Sequence, residues 1–230
     1  MAEHRTGFWE TCWRIYKKDT ILEWKSPAGI LSVILFAFIL AALYNYAMEA
    51  DVFRNRRNLN GVMMATLFFS AVMLAGRNIQ QEREGGALRV MLISPADPAG
   101  YFMGKVAALW QLQTAFILIY VPIYHFLLLG RIPGGSDLVG PFLTLALSAL
   151  SLSALGILLS YIASGNRLRE IILPLLLMPA ALPVFMLATD ALGRNPKEGA
   201  SLGAYLILAG PAVIFCSLGC LLYHTLSADE

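Results

Sequence analysis

Six stretches of this chain, at 27–48, 59–76, 106–129, 138–163, 171–189 and 200–223, contain no Asp, Glu, Lys or Arg. Crossing the hydrocarbon core of a bilayer takes roughly 20 consecutive apolar residues in a helix. A soluble domain would break such runs every few residues to present a polar face. Only 14% of the 230 residues are charged, against about 25% in an ordinary soluble domain, and the charges bunch between the runs. Lipid offers the backbone no hydrogen bonds, so the spans must satisfy their own amides, as helices do. A barrel would need segments of about ten residues alternating in polarity, and the sequence has none. The expected fold is therefore an all-α integral membrane protein with six transmembrane helices, in a single domain over 1–230, without internal repeats.

Ahead of the first run, 6–26 reads as an amphipathic helix. Phe8, Trp9, Cys12, Trp13 and Tyr16 share one side, with Glu10, Arg14, Lys17 and Lys18 largely opposite. Such a helix is expected to lie in the membrane interface; the competing expectation is ordinary packing on the protein. The mixed charges and tryptophans here do not resemble a cleaved signal peptide, so the chain is expected to insert through its first span. With the N-terminus inside, 11 of the 17 Lys and Arg residues fall on inner segments and 6 on outer ones. That bias places both termini in the cytoplasm, although Arg54, Arg56 and Arg57 run against it. Tyr44, Tyr46, Tyr120 and Tyr124 are expected at the outer boundary, and Tyr161 and Tyr223 at the inner one.

Several function classes find little support. The net charge is +2 and no basic patch interleaves with aromatics, so nucleic acid is not an expected partner. Cys12, Cys216 and Cys220 lack the spacing of a zinc site or disulfide framework, so no metal is expected. An intramembrane enzyme or ion-coupled transporter needs ionisable groups at depth, and the apolar cores have none. Gly104-Lys105 suggests a phosphate-binding loop, but the preceding glycine is Gly100, one position too close, and Val106 stands where Ser or Thr is needed. Lys105 is instead read as marking a helix entry. His125 and His224 are candidate haem ligands, with an interfacial hydrogen-bonded histidine the plainer reading, especially for His224. The sparse polar candidates for a pore lining are Asn45, Gln111 and Gln113.

The polar stretch 77–105 carries the most information. A charged extension at 77–84 meets the Gly85-Gly86 break. A short apolar helix at 88–93 follows, closed by Ser94-Pro95. Leu88, Met91 and Leu92 fall at i, i+3 and i+4, anchors suited to a partner's groove. Glu82, Arg83 and Glu84 would make steering contacts at its rim. The competing expectation is that this helix rests on the bilayer.

The sequence EREGGALRVMLISPADPAGYFMGK resembles the cytoplasmic loop of ABC-2-type permeases. Two more stretches, GVMMATLFFSAVMLAGRNIQQEREGGAL and SGNRLREIILPLLLMPAALPV, resemble the haem exporter protein B (CcmB) family of cytochrome c maturation. The narrower likeness rests on Asn166 to Glu170 with Pro174, Pro179 and Pro183. Arg89 departs from the pattern, standing where many relatives have an acidic residue.

The resemblance implies a permease subunit in the bacterial inner membrane that performs no catalysis itself. A separate CcmA-type ATPase would bind ATP, CcmC- and CcmD-type membrane subunits would join, and haem would be the cargo of the pathway. It also implies ATPase docking through the 82–92 segment and a second cytoplasmic loop at Arg167, Arg169 and Glu170. Gly85, Gly86, Pro174, Pro179 and Pro183 are hinge candidates. Two ATPase copies would favour a homodimer or a second membrane subunit. Gly199 and Gly203, or Gly156, Ser160 and Ser164, offer small-residue helix contacts, within the chain or between copies. An ABC-2 permease for another cargo (drug, lipid or polysaccharide) and a non-translocating scaffold are the alternatives.

Overall fold

The computed structural model describes residues 7–25, 27–48, 56–84, 96–130, 134–163, 169–193 and 202–226. These form seven helices and no strand: α1 (Phe8–Lys25), α2 (Ala28–Ala47), α3 (Arg56–Glu84), α4 (Pro98–Leu129), α5 (Gly135–Ala163), α6 (Arg169–Gly193) and α7 (Leu202–Leu226). Each of α2 to α7 holds a stretch long and apolar enough to cross a membrane. The all-α, six-span reading holds.

The packing inverts the habit of soluble bundles. α2 buries Gly29, Val33, Ala37 and Ala41, one residue every four, and exposes Leu31, Leu35, Phe38, Ile39 and Leu43. α6 likewise buries Leu177, Ala181, Val184 and Ala188 while Leu175, Met178, Leu182 and Met186 face outward. Lipid tails solvate large apolar side chains, so the hydrophobic effect does not drive these helices together. Small side chains that let backbones approach do the work. Gly156 on α5 shows the same rule: a Cβ there would meet the Ala75 Cβ at 3.2 Å. The Gly156–Ser160 stripe thus packs within the chain, Ser160 donating to the Gly156 carbonyl. Gly203 is exposed at the start of α7, while Gly199 and Ser164 lie outside the described residues.

α5 sits at the centre, in contact with α3, α4, α6 and α7. Several of its hydroxyls are satisfied within the helix, while the buried Ser153 Oγ has no hydrogen-bond partner. Thr144 donates to the Gly140 carbonyl at 3.0 Å, Ser148 to Thr144 at 2.8 Å and Ser151 to Leu147 at 3.3 Å. Back-bonding of this kind lets a polar side chain sit at depth without a partner helix.

Helix lengths depart from expectation most in α3 and α4. The third span was expected to begin at residue 106, yet α4 begins at Pro98. The cause is local. Asp97 is the N-cap, its Oδ1 accepting from the Gly100 amide at 2.7 Å, and Pro98 supplies a preset φ at the first position. Lys105 therefore lies two turns inside the helix and is buried, which corrects its reading as an entry marker. α3 likewise runs on through 77–84 as a charged helical extension. At 1.5 Å per residue, 29 and 32 residues give about 44 and 48 Å, against roughly 30 Å of hydrocarbon. Both excesses lie at the same end, because Asn78 and Lys105 are hydrogen-bonded there. The end of α3 after Gly76 and the first two turns of α4 thus run side by side as a two-helix stalk that continues past the charge-free runs. Gly130, at φ 64°, closes α4 at its other end.

The tyrosines also differ from expectation. Tyr120 and Tyr124 are buried among neighbouring helices rather than exposed on the bundle surface as belt residues would be. Tyr120 donates to the Met63 carbonyl at 3.3 Å and Tyr124 to the Ala37 carbonyl at 3.2 Å, with the Thr66 hydroxyl 2.7 Å from the Tyr124 oxygen. Tyr223 is buried in an aromatic cluster with Tyr161, Tyr101 and Phe102, and Gly219 clears space for the Phe102 ring. A tyrosine in lipid needs a partner for its hydroxyl, and in α4 a neighbouring helix's carbonyl provides one. Tyr46 is fully exposed at the end of α2.

α1 runs along the first half of α4. A Cβ at Gly100 would fall 2.5 Å from the Phe8 carbonyl oxygen, and one at Gly104 2.7 Å from that of Cys12. Neither carbonyl can yield without moving α1 as a whole. Gly100→Ala is expected to lose about 1–3 kcal/mol, read as a lower melting temperature in detergent, together with greater acrylamide quenching of the α1 tryptophans.

Candidate functional site

The stalk end, where α1, α3 and α4 meet, concentrates the buried charge of the described residues. Lys105 is only 2% exposed. Its ammonium donates to Asp19 Oδ2 on α1 at 2.9 Å and to Asn78 Oδ1 on α3 at 3.2 Å, and lies 5.4 Å from the centre of the Tyr101 ring. One cation thus ties three helices. Asp19 also meets the more exposed Lys18 at 3.0 Å. One turn on, Arg77 Nε of α3 stands 3.8 Å from Glu23 of α1. Its side chain crosses Gly29, where a Cβ would lie 2.7 Å from Nε. Thr11 of α1 accepts from the Asp97 amide at 3.3 Å. α1 therefore holds both the exit of α3 and the entry of α4, the two roots of the segment between them.

The expected amphipathic face of α1 divides. Phe8, Cys12 and Tyr16 are half-buried, whereas Trp9 and Trp13 are exposed. The residues turned fully inward, Thr11 and Asp19, were not expected to be buried. Burial pushes the Cys12 thiol above its ordinary pKa, so it is protonated at neutral pH and a poor nucleophile or metal ligand. Cys216 and Cys220 are free thiols packed against the core.

The docking residues are placed only in part. Glu82, Arg83 and Glu84 form the last turn of α3, at the tip of the stalk. Gly85, Gly86, Leu88, Met91 and Leu92 lie outside the described residues, as does Arg167. Arg169 and Glu170 open α6, which runs unbroken through Pro174, Pro179 and Pro183. Pro122, Pro141 and Pro211 are further prolines within spans.

The ligand candidates fare differently. His125 is buried, and its Nδ1–H donates to the Val121 carbonyl of its own helix at 2.9 Å. His224 lies near the end of α7. No three-residue cluster suited to a metal exists among the described residues. Of the polar span residues, Asn45 donates to the Leu127 carbonyl and Gln111 accepts from Thr20 at 3.2 Å. Gln113 is fully buried, with neither amide atom hydrogen-bonded.

Two measurements probe these groups. Lys105→Met leaves the buried Asp19 carboxylate with only the half-exposed Lys18 as ion-pair partner, for which a loss of up to about 3 kcal/mol is expected. Adding Asp19→Asn should return most of it, and melting curves of the single and double variants measure the difference. Gln113→Met removes an unsatisfied amide that costs about 1–3 kcal/mol. Its melting temperature should rise by a few degrees.

The family model described as "CcmB protein" matches residues 10–222, from the first turn of α1 to the penultimate turn of α7. A Pseudomonas aeruginosa protein called heme exporter protein B is similar over 201 residues at 23% identity, covering 87% of this chain and 89% of the relative. The match takes in every helix of the bundle and the clamp at its stalk, and the chain belongs to the CcmB family.

Proposed function

We propose that this chain is the permease subunit of an ATP-driven complex that serves haem export for c-type cytochrome assembly in the bacterial inner membrane. A separate CcmA-type ATPase hydrolyses the nucleotide, and CcmC- and CcmD-type subunits complete the assembly. The whole chain acts as one ABC-2-type permease domain. Both termini and the stalk face the cytoplasm, in accord with the Lys and Arg bias.

The observation that carries this reading is the clamped stalk. A permease without nucleotide chemistry needs a rigid element that reaches out of the bilayer to its motor. α3 and α4 overreach the hydrocarbon by about 14–18 Å, and the overreach is bonded to α1 through Lys105, Asp19 and Asn78. Glu82, Arg83 and Glu84 at its tip contact the ATPase together with Leu88, Met91 and Leu92, which follow in the sequence, with Arg167, Arg169 and Glu170 forming a second contact. Closure of two ATPase copies displaces the tip. The displacement passes to α1, α3 and α4 as one block, since moving α4 alone would strand the Asp19 carboxylate. Gly85 and Gly86 give the tip its freedom. Pro174, Pro179 and Pro183, which remove amide donors from α6, let that span bend in response. Two copies of the chain match the two ATPases.

Leu88→Asp/Met91→Asp is expected to abolish co-purification with the ATPase while leaving the chain's own melting curve unchanged. Unchanged pull-down would place the docking elsewhere. In a strain deleted for the gene, periplasmic proteins should lose covalent haem staining. Normal c-type cytochromes there would assign the chain a different cargo.

A further inference from the structure

Lys105, Asp19 and Asn78 join α1, α3 and α4. α4 also packs against α5 and α7, neither of which contributes a residue to those bonds. α7 turns large apolar side chains such as Leu206, Ile207 and Ile214 outward. What it buries is mostly small: Ala204, Ala212 and Gly219, with Leu208 and Pro211. Tyr223 is the largest side chain buried among its described residues.

That ring stands where three helices meet. Its centre lies 6.3 Å from that of Tyr101 and 5.2 Å from that of Phe102, both on α4, and 4.4 Å from that of Tyr161 near the end of α5. Tyr101 is also the ring that the Lys105 ammonium approaches, 5.4 Å from its centre and within cation–π range. The contacts thus run in series from Asp19 through Lys105, Tyr101 and Tyr223 to Tyr161. Phe102, fully buried, adds a stop. A Cβ on Gly219 would collide with the far edge of its ring, so the ring abuts the backbone of α7 itself. Tyr223 covers the same ring one turn further on.

Aromatic pairs hold preferred separations and tilts, and close-packed interiors transmit strain rather than absorb it. A displacement of the first turns of α4 therefore presses on α7 through Phe102 and Tyr223, and on α5 through Tyr223 and Tyr161. Building on the permease reading, we propose that Tyr223 is the joint that carries the movement of the clamped stalk into α5 and α7. It is a positioning residue for transport, acting on helices and not on nucleotide or cargo. α5 packs against α6, so the same movement reaches the span that holds Pro174, Pro179 and Pro183. Docking and hydrolysis lie on one side of the joint and the movement of these spans on the other, and removal of the ring separates the two.

The test uses the purified complex with its ATPase, and cells carrying the same variants. Tyr223→Leu keeps the position apolar and removes the ring. Its complex is expected to hydrolyse ATP within about twofold of the unaltered rate, while covalent haem on periplasmic proteins falls about fivefold or more, the low end for coupled sites. Tyr223→Phe, which keeps the ring, should retain haem loading. Tyr161→Leu breaks the next contact and should reproduce the Tyr223→Leu loss. Residues acting in series are not additive, so Tyr161→Leu/Tyr223→Leu should be no worse than either change alone. Full haem loading with Tyr223→Leu would overturn the proposal. So would hydrolysis and loading that fall in the same proportion in both single variants, or single losses that multiply in the double one, as independent packing faults do. Failure of the permease reading looks different: the deletion strain itself then keeps normal c-type cytochromes, and the joint has no stroke to carry.

Discussion

A single ammonium group organises the stalk end of this protein. Lys105 would be costly to bury alone, and Asp19 equally so. Together, with the Asn78 amide oxygen supplying a second acceptor, they satisfy one another in a site from which water is nearly excluded. Replacing such a group with hydrocarbon is often neutral for stability. What the ionic version adds is directional: it fixes α1 in one register on α4 and ties α3 to both. The glycines at 100 and 104 set the distance of that docking, and the ion pair sets its position along the helix.

The bilayer accounts for the rest of the fold by a different logic. Water cannot squeeze the spans together, so contact depends on shape and on satisfied polar groups. Alanine and glycine face neighbouring helices, and leucine, methionine and phenylalanine face lipid. Thr144, Ser148 and Ser160 bond to carbonyls one turn back, and Tyr120 and Tyr124 to carbonyls of adjacent helices. Gln113 stands apart as a buried amide without a partner. Such a group in a span has an energetic cost that a purely structural helix would avoid.

The number and class of the helices were legible because a bilayer imposes one length scale and one secondary structure. Their ends were less so. The onset of α4 at Pro98 is written in Asp97-Pro98, a recognisable cap, but the charge of Lys105 outweighed that signal when only hydropathy was read. Burial of Lys105 was not legible, because its partner Asp19 lies far away in sequence and looks like part of a solvated helix face. The tyrosines mislead for a related reason: hydropathy places Tyr120 and Tyr124 near a boundary, and only the facing carbonyls of Met63 and Ala37 explain their depth. The docking segment is a pattern of glycines and spaced apolar residues in the sequence, and 85–95 lie outside the described residues. The side that α1 buries was not legible either: Thr11 and Asp19 turn inward while Trp9 and Trp13 stay exposed.

The Asp19–Lys105 bond joins residues 86 positions apart. At a translation rate of about 5–20 residues per second, roughly 4–17 s separate their emergence from the ribosome. During that interval α1 exists without the helix that neutralises it. Its three exposed tryptophans and outward cations give the nascent segment an affinity for the membrane surface in the meantime. The same side chains that later flank the finished bundle thus hold α1 in place until α4 is inserted and the lysine arrives.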